Sequence, residues 1–399
     1  MGVKYFSSTQ AGTSVLNGMP GSLISVLDAC LVTGFGLKSV ASLVVDGGVA
    51  TITVMGGHSA MVDLMILVDG ATPAGLNGEQ RVTAITANTV SFATALGNQT
   101  AGGTITMKIA PLGWTKIYSA TNIAVYKPTD PAATGCMLRV DDSGTMDARV
   151  VGYESMSDVS TGTGPYPTNT QVAGGFYWRK SMLANSTAIP WEIVGDERGF
   201  MFSRATYASL NPNYTVRETC WFGDGLPEKS GDAYFSCLTG VRASYDSTCG
   251  EVFTSVSFSY LSTYPTYCAR SLTQQGSAQL GTRIGAVPTD GNNWSNRRSG
   301  ANGMGLGTYP DATGILRVMP VLFLEGGTAD VSVVRGIIPG IYHTPQYIPP
   351  TTFTTGDKVT ATGTLVGRKL LAVRCGATAS AETTVAGVGF VDITGPWRA

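Results

Sequence analysis

Histidine is almost missing from this chain. There are two in 399 residues, His58 and His343. They lie far apart in sequence, and neither stands in a metal-ligand or acid–base pattern. His58 follows Gly56-Gly57 and reads as a turn or barrel-rim residue; His343, in Tyr342-His343-Thr344-Pro345, reads as part of an ordered loop. Charge is scarce as well: 13% of residues are charged, against about 25% in an average soluble domain. With 26 basic and 27 acidic residues the net charge is −1. Nucleic acid is held by clustered Lys and Arg, so no nucleic-acid partner is expected. The one dense basic spot, Arg297-Arg298, reads as a solvated loop.

Other absences narrow the field further. No apolar run approaches the ~20 residues needed to span a bilayer, and residues 1–10 contain no apolar signal core. Neither membrane insertion nor secretion is expected; synthesis and assembly in the cytoplasm are. The seven cysteines, Cys30, Cys136, Cys220, Cys237, Cys249, Cys268 and Cys375, are odd in number and contain no C-x-x-C pair. A zinc or thioredoxin-type site is therefore not indicated. Buried thiols in a reducing compartment are expected, although Cys237, Cys249 and Cys268 lie close enough in sequence to permit a bridge. H-E-x-x-H, G-x-S-x-G and G-x-x-x-x-G-K-[ST] are all missing. Gly303-Met304-Gly305-Leu306-Gly307 lacks the strand before and the helix after that a dinucleotide site requires.

What is present is glycine, 51 residues of it, with many small polar residues and 43% hydrophobic residues. At this length two or three domains are expected, burying roughly three quarters of the unfolded surface. Few charges and a net charge near zero are awkward for a lone soluble monomer. They suit a subunit covered by copies of itself or by neighbours.

Along the chain, residues 1–21 read as a polar, Gly-rich extended arm. Ser22 is placed as N-cap of a helix whose apolar face is Leu23, Val26, Leu27, Cys30 and Leu31, with Gly34 as its stop. From about residue 39 the period becomes two. Segments 51–54, 64–68, 81–86, 90–93 and 104–109 read as strands separated by Gly-containing turns, a small barrel or sandwich of about 70 residues. Further strands are expected at 114–126 (a pair), 137–140 and 148–153 (a hairpin), 176–179, 191–194, 200–202, 234–239, 255–261, 316–324, 331–334, 369–374 and 388–393. Long loops are expected at 160–175 and 273–314, where a function or a partner is the usual reason for such length. The fold class is mainly β: a small N-terminal β-sandwich or barrel module, a larger antiparallel β domain, and one short N-terminal helix. The expected divisions are 1–38 (arm and helix), 39–111 (small module) and 112–399 (main domain, with two subdomains as an alternative).

The best acid–base candidates are Asp141, Asp142, Asp147, Glu154 and Asp158. A glycosidase needs two carboxyl groups about 5–10 Å apart, and a hairpin can bring two together. The competing reading makes Asp141-Asp142-Ser143-Gly144 a turn and the others outward positions on strands. A calcium loop would need a D-x-D-x-D spacing with a distal Glu, which this stretch lacks. The aromatic groups Phe176-Tyr177-Trp178, Tyr260, Tyr264, Tyr267 and Trp294 suit cores or subunit interfaces, and glycan stacking if exposed. No catalytic, cofactor-binding or metal residue is assigned.

Two stretches resemble known sequences. Residues 44–109 contain Val44-Val45-Asp46-Gly47-Gly48, Gly56-Gly57-His58-Ser59 and Asn77-Gly78-Glu79-Gln80-Arg81. They resemble a small β module of phage and prophage particle proteins, with Ser59 where that module has Gly and Val62-Asp63 where it has Gly-Asp. Residues 112–194 and the end of the chain contain Gly113-Trp114-Thr115-Lys116, Leu138-Arg139-Val140-Asp141-Asp142, Thr161-Gly162-Thr163-Gly164-Pro165 and Asp392-Ile393-Thr394-Gly395-Pro396-Trp397-Arg398. They are similar to uncharacterised virion structural proteins of tailed bacteriophages. The resemblance implies a non-enzymatic virion subunit, without cofactors, in the tail or head–tail region. Its partners would be copies of itself and other virion proteins. A capsid decoration or minor capsid protein, and a tail adhesin for a host receptor or glycan, are the alternatives; a glycan-cleaving enzyme is a further one.

Overall fold

The computed structural model describes residues 2–205, 216–242, 266–283, 308–326, 333–346, 348–349, 352–376 and 386–398. Among the described residues the chain is mainly β, in three sheets, with one short α-helix near its start.

Strand β1 (Lys4–Ser7) is followed by helix α1 (Ser22–Leu27), which continues as a π-helical turn over Asp28–Thr33. Leu23, Val26, Leu27, Cys30 and Leu31 are all buried, as their spacing predicts. Gly34, at φ 68, ends the helix in a region that favours glycine. The N-terminus departs from expectation. Gly21, at φ 81, is the N-cap, and Ser22 lies inside the helix, where its Oγ donates to the Asn17 carbonyl at 2.7 Å. The cap arrives from far along the chain. The Asp142 carboxylate accepts the backbone N–H groups of Leu23 at 2.8 Å and Ile24 at 3.1 Å. One carboxylate satisfies two orphan donors, so no local hydroxyl is needed.

Strands β2 (Phe35–Asp46), β3 (Val49–Val54), β4 (Met65–Asp69), β5 (Gly78–Ile85), β6 (Thr89–Ala93), β7 (Gln99–Thr100) and β8 (Thr106–Ile109) build the small module. The order β2-β3-β6-β5-β4-β8 returns to β2, so six strands close into a barrel and β7 adds to β2. Period-two patterning alone leaves barrel and sandwich open; β2 decides, because it pairs with β3 and with β8. Its ladders break register beside Phe35 and beside Val40, and Gly36 takes φ 69 near the first break. Such irregularities bend a strand enough to turn a corner. Inward positions alternate down each strand, among them Leu43, Val45, Ile52, Val54, Val90 and Phe92.

The second sheet holds β9 (Thr115–Ala120), β10 (Ile123–Lys127), β11 (Met137–Asp141), β12 (Asp147–Met156), β13 (Gly162–Tyr166) and β14 (Phe176–Arg179). Its order is β13-β12-β11-β10-β9, and β14 shares the β13 edge of the long β12. The expected hairpin is β11–β12. Part of the expected 160–175 loop is instead strand β13. Apolar alternation does not announce it, because Gly162 and Gly164 sit where a Cβ would meet Tyr153 and Glu154 at 2.6 and 2.5 Å.

The largest sheet holds β1 with β15 (Trp191–Asp196), β16 (Gly199–Ala205), β17 (Val216–Asp224), β18 (Leu226–Pro227), β19 (Ser236–Thr239), β20 (Thr266–Cys268), β21 (Ala278–Arg283), β22 (Met319–Glu325), β23 (Val333–His343), β24 (Lys358–Thr360), β25 (Lys369–Gly376) and β26 (Ala386–Asp392). Running from β17 through β19, β20, β21, β22, β23, β26 and β25, the ladder returns to β17 by a short parallel pairing of Val216 with Arg374 and Arg217 with Cys375. Eight strands thus close into a second ring. β1 pairs with β15, so the segment read as an arm begins as a strand of this sheet. Residues 8–18, immediately after β1, open with turns over residues 8–12 and lie on their own chain: Ser8 N–H donates to Trp191 O, Ile189 N–H to Leu16 O and Gly18 N–H to Asn185 O, at 2.8–2.9 Å.

Strands β15 and β16 are buried on both faces. On one face Trp191, Ile193, Phe200 and Phe202 join a core shared with the helix, the barrel and the second sheet. On the other, Val194 and Met201 join the core that includes Cys237, Phe323 and Trp397. Phe200 is the hub of the first face, with its ring 5.5 Å from that of Trp114 and 6.0 Å from that of Trp178, both edge-on.

Candidate functional site

The acidic residues between Asp141 and Asp158 are scattered rather than gathered. Asp141 turns back on its own hairpin, accepting Ser143 N–H at 3.3 Å and facing Arg139 at 3.5 Å. Asp142 is sealed from solvent, capping α1 with one oxygen and meeting Lys180 Nζ at 2.5 Å with the other. Burial pushes its carboxyl pKa up, against the pull of Lys180 and the two helix N–H groups. Asp147 pairs with Arg179, its register partner on β14, at 3.3 Å. Glu154 takes both arms of Arg270 at 2.6 and 2.7 Å, and that guanidinium lies over the Tyr234 ring. Asp158 is in an exposed turn, held below its usual range by the N–H groups of Ser160 and Thr161.

Register separates Asp141 from Glu154, while Asp147, two residues from Arg149 in the other direction and so about 7 Å along the strand, has its carboxylate on Arg179. Asp141 lies opposite Arg149, and Glu154 is five residues further along β12. At 3.3 Å per residue this is about 16 Å, well beyond the roughly 5–10 Å of a two-carboxylate glycosidase site. Among the described residues, no group of three or more His, Cys, Asp and Glu is arranged to hold a metal ion.

The histidines are separate too. His58 Nε2 lies 2.9 Å from Thr86 O and 3.1 Å from Thr89 O, tying the turn after β3 to the β5–β6 hairpin at the barrel end. His343 corrects the loop expectation: it is the last residue of β23 and is buried. Burial depresses its pKa to about 4. Cys30, Cys136, Cys220, Cys237 and Cys268 are buried free thiols. Phe176, Trp178 and Tyr267 are core residues, while Tyr177 carries the Arg149 guanidinium 3.6 Å above its ring. Cys249, Tyr260, Tyr264, Trp294, Arg297-Arg298, the 303–307 glycines, strand 255–261 and most of loop 273–314 lie outside the described residues.

Sequence reasoning missed the polar cluster at the end of the chain. A cleft of about 220 Å³ is lined by Val3, Asp130, Asp196, Glu197, Arg198 and Arg398, with Pro396 and Trp397. Arg398 pairs with Asp196, and Arg198 meets the buried Asp224 at 3.2 Å. Asp224 also accepts the N–H of Thr134 at 2.9 Å and its hydroxyl at 2.6 Å. Burial raises the Asp224 pKa, opposed by Thr134 and the two arginines. The group clamps the tail of the chain, the loop after β10 and the β15–β16 turn together. The terminal Asp392-Ile-Thr-Gly-Pro-Trp-Arg398 run was the available signal, but its partners are distant in sequence.

A second clamp joins the barrel to the largest sheet. Arg81 donates to the carbonyls of Asp63, Ile393 and Thr394 at 2.7, 3.4 and 3.1 Å. Asp63 meets Lys369 at 2.5 Å and Lys358 at 3.4 Å. These features define a class: a mainly β protein of three interlocked sheets, with ion pairs and hydrogen bonds that join its own segments. Comparison with protein-family models gives no match, and comparison with curated proteins gives none.

Proposed function

We propose that this chain is a structural subunit of a tailed-bacteriophage particle. It is present in multiple copies in the tail or head–tail region and acts through interfaces with itself and with other virion proteins. On this reading it is assembled in the bacterial cytoplasm, resides in the virion, and is neither an enzyme nor a cofactor protein. The observation that carries the proposal is where the charge goes. The chain has few charges, and Lys4, Asp142, Lys180, Glu192, Arg204, Arg217, Glu218 and Arg335 are among those buried. Among the described residues Leu37, Met55 and Val366 stand 67%, 78% and 76% exposed. Such a surface has little colloidal protection as a monomer and favours contact with other subunits. The phage assignment itself rests on the resemblance of residues 44–109 and 112–194 to phage particle proteins.

The test is the protein's place in a reconstruction of the intact particle. Symmetric copies in the tail or neck are expected. Copies on the capsid surface would favour the decoration reading, and absence from purified particles ends the proposal. Binding of the isolated chain to host cells or surface glycans would favour an adhesin.

A further inference from the structure

Strands β19 and β20 place Cys237 directly opposite Cys268. The neighbouring pair fixes the kind of site. Ala269 N–H donates to Ser236 O at 3.1 Å, so Ser236 and Ala269 are a hydrogen-bonded pair. In an antiparallel ladder bonded and non-bonded pairs alternate, which makes Cys237–Cys268 a non-hydrogen-bonded pair. There Cα atoms approach to about 4.5 Å and side chains are closest. Opposed residues project from the same face, and both thiols lie in one core cluster, fully buried. Disulfides span Cα separations of about 4.4–6.8 Å, so the backbone already has the spacing of the bridged state. Cys268 Sγ also has Arg335 Nη1 at 2.9 Å, with that guanidinium balanced by Asp232 at 2.9 Å and Glu325 at 2.7 Å.

We infer that Cys237 and Cys268 form a latent cross-strand disulfide that a low-molecular-weight disulfide closes. The Cys268 thiolate, formed beside Arg335, attacks the oxidant and releases one small thiol. Cys237 then loses its proton and attacks the mixed disulfide at the Cys268 sulfur, releasing the second small thiol. One S–S bond forms in the protein, one breaks in the oxidant, and the two thiol protons end on the two small thiols. Burial holds the Cys268 pKa up at about 12 despite Arg335. Thiolate is therefore scarce in the closed sheet, and exchange is slow until β19 and β20 part. Cys220 belongs to the core on the other face of the sheet, with Cys30 and Cys136, so these three serve as internal controls. The latent bridge stands on strand register and burial alone, whatever role the chain has in a particle.

The experiment uses the whole chain as expressed. It is incubated with oxidised glutathione at the foot of its thermal transition, then denatured, alkylated and mapped by peptide mass. The expected result is a Cys237–Cys268 linked peptide lighter by two hydrogens, lost on reduction and absent from Cys237→Ser. Cys30, Cys136 and Cys220 are recovered alkylated, and the oxidised chain melts higher than the reduced one. Recovery of Cys237 and Cys268 as separate alkylated peptides, or linkage of either to Cys249, overturns the inference. Cys268→Ser repeats the test from the other side, so a folding defect in one variant does not decide it.

Discussion

Asp142 and Lys180 meet at 2.5 Å with neither side chain reaching solvent. The pair joins three segments that are remote in sequence. Asp142 holds the N-terminus of α1. Lys180 Nζ donates to Met19 O and Gly144 O, each at 2.8 Å. The two side chains thus tie the helix entry, the β11–β12 hairpin and the segment after β14 into one joint.

Breaking half of this joint is expected to be costly. Asp142→Ala leaves Lys180 buried without its counter-charge, a loss of about 3–5 kcal/mol, and removes a helix cap worth about 1 kcal/mol. Urea denaturation of the variant should show a fall of that order. Adding Lys180→Met should recover a substantial part, because the stranded charge is gone. A double variant no more stable than Asp142→Ala would refute this role for the pair.

His343 sets a pH dependence. Its folded pKa, about 4, lies below the ordinary value of 6.5. Between those values the unfolded chain binds the proton and the folded chain does not, so stability falls as pH drops from 6.5 towards 4. The full loss is on the order of 3 kcal/mol, at 1.36 kcal/mol per pH unit. Denaturation at pH 7 and pH 4 measures it. His343→Leu should lose less stability between those two pH values than the parent, and equal losses would count against the assignment.

Gly340 faces Trp397 at close range. It has φ 71, and a Cβ there would sit 2.0 Å from Trp397 Nε1. Gly340→Ala must displace the indole, which also lies 6.0 Å from the Trp221 ring. Overpacking and the left-handed backbone together cost about 1–3 kcal/mol or more. A lower melting temperature with an altered near-ultraviolet tryptophan signal is expected; an unchanged signal would speak against the contact.

Arg81→Met tests the clamp between barrel and largest sheet. It removes the donors to Asp63, Ile393 and Thr394 and leaves their carbonyls without that partner, at roughly 1–3 kcal/mol. Hydrogen exchange should quicken in β1 and at residues 393–397 while the barrel interior, around Ile52 and Val90, keeps its protection. Uniform loosening of the barrel would mean that Arg81 supports the module itself.

Legibility in the sequence followed one-sided burial. The barrel strands have one buried face, so Leu43, Val45, Ile52 and Val54 alternate with exposed or half-buried residues and announce a period of two. β15 and β16 have none of that contrast, since all their residues are buried; their centres were readable as apolar runs but their full lengths were not. β1 was hidden for a similar reason, because Lys4 and Ser7 are buried beside Tyr5 and Phe6. Asp141 was readable as a turn residue from its Ser-Gly neighbours. Asp142, next to it, was not readable as a helix cap, because the N–H groups it serves lie more than a hundred residues away.

The amino-acid sequence by itself determined a mainly β chain, the helix face from Leu23 to Leu31 with its stop at Gly34, the small module and the β11–β12 hairpin. Those features arise from local periodicity and turn chemistry, which act over a few residues. The tertiary structure alone decided that β2 closes the module into a barrel and that β17 and β25 close a second ring. It alone decided that the acidic stretch is dispersed among separate cations, and that Cys237 faces Cys268. Each of these depends on pairing partners distant along the chain, selected by which faces and charges must be buried together.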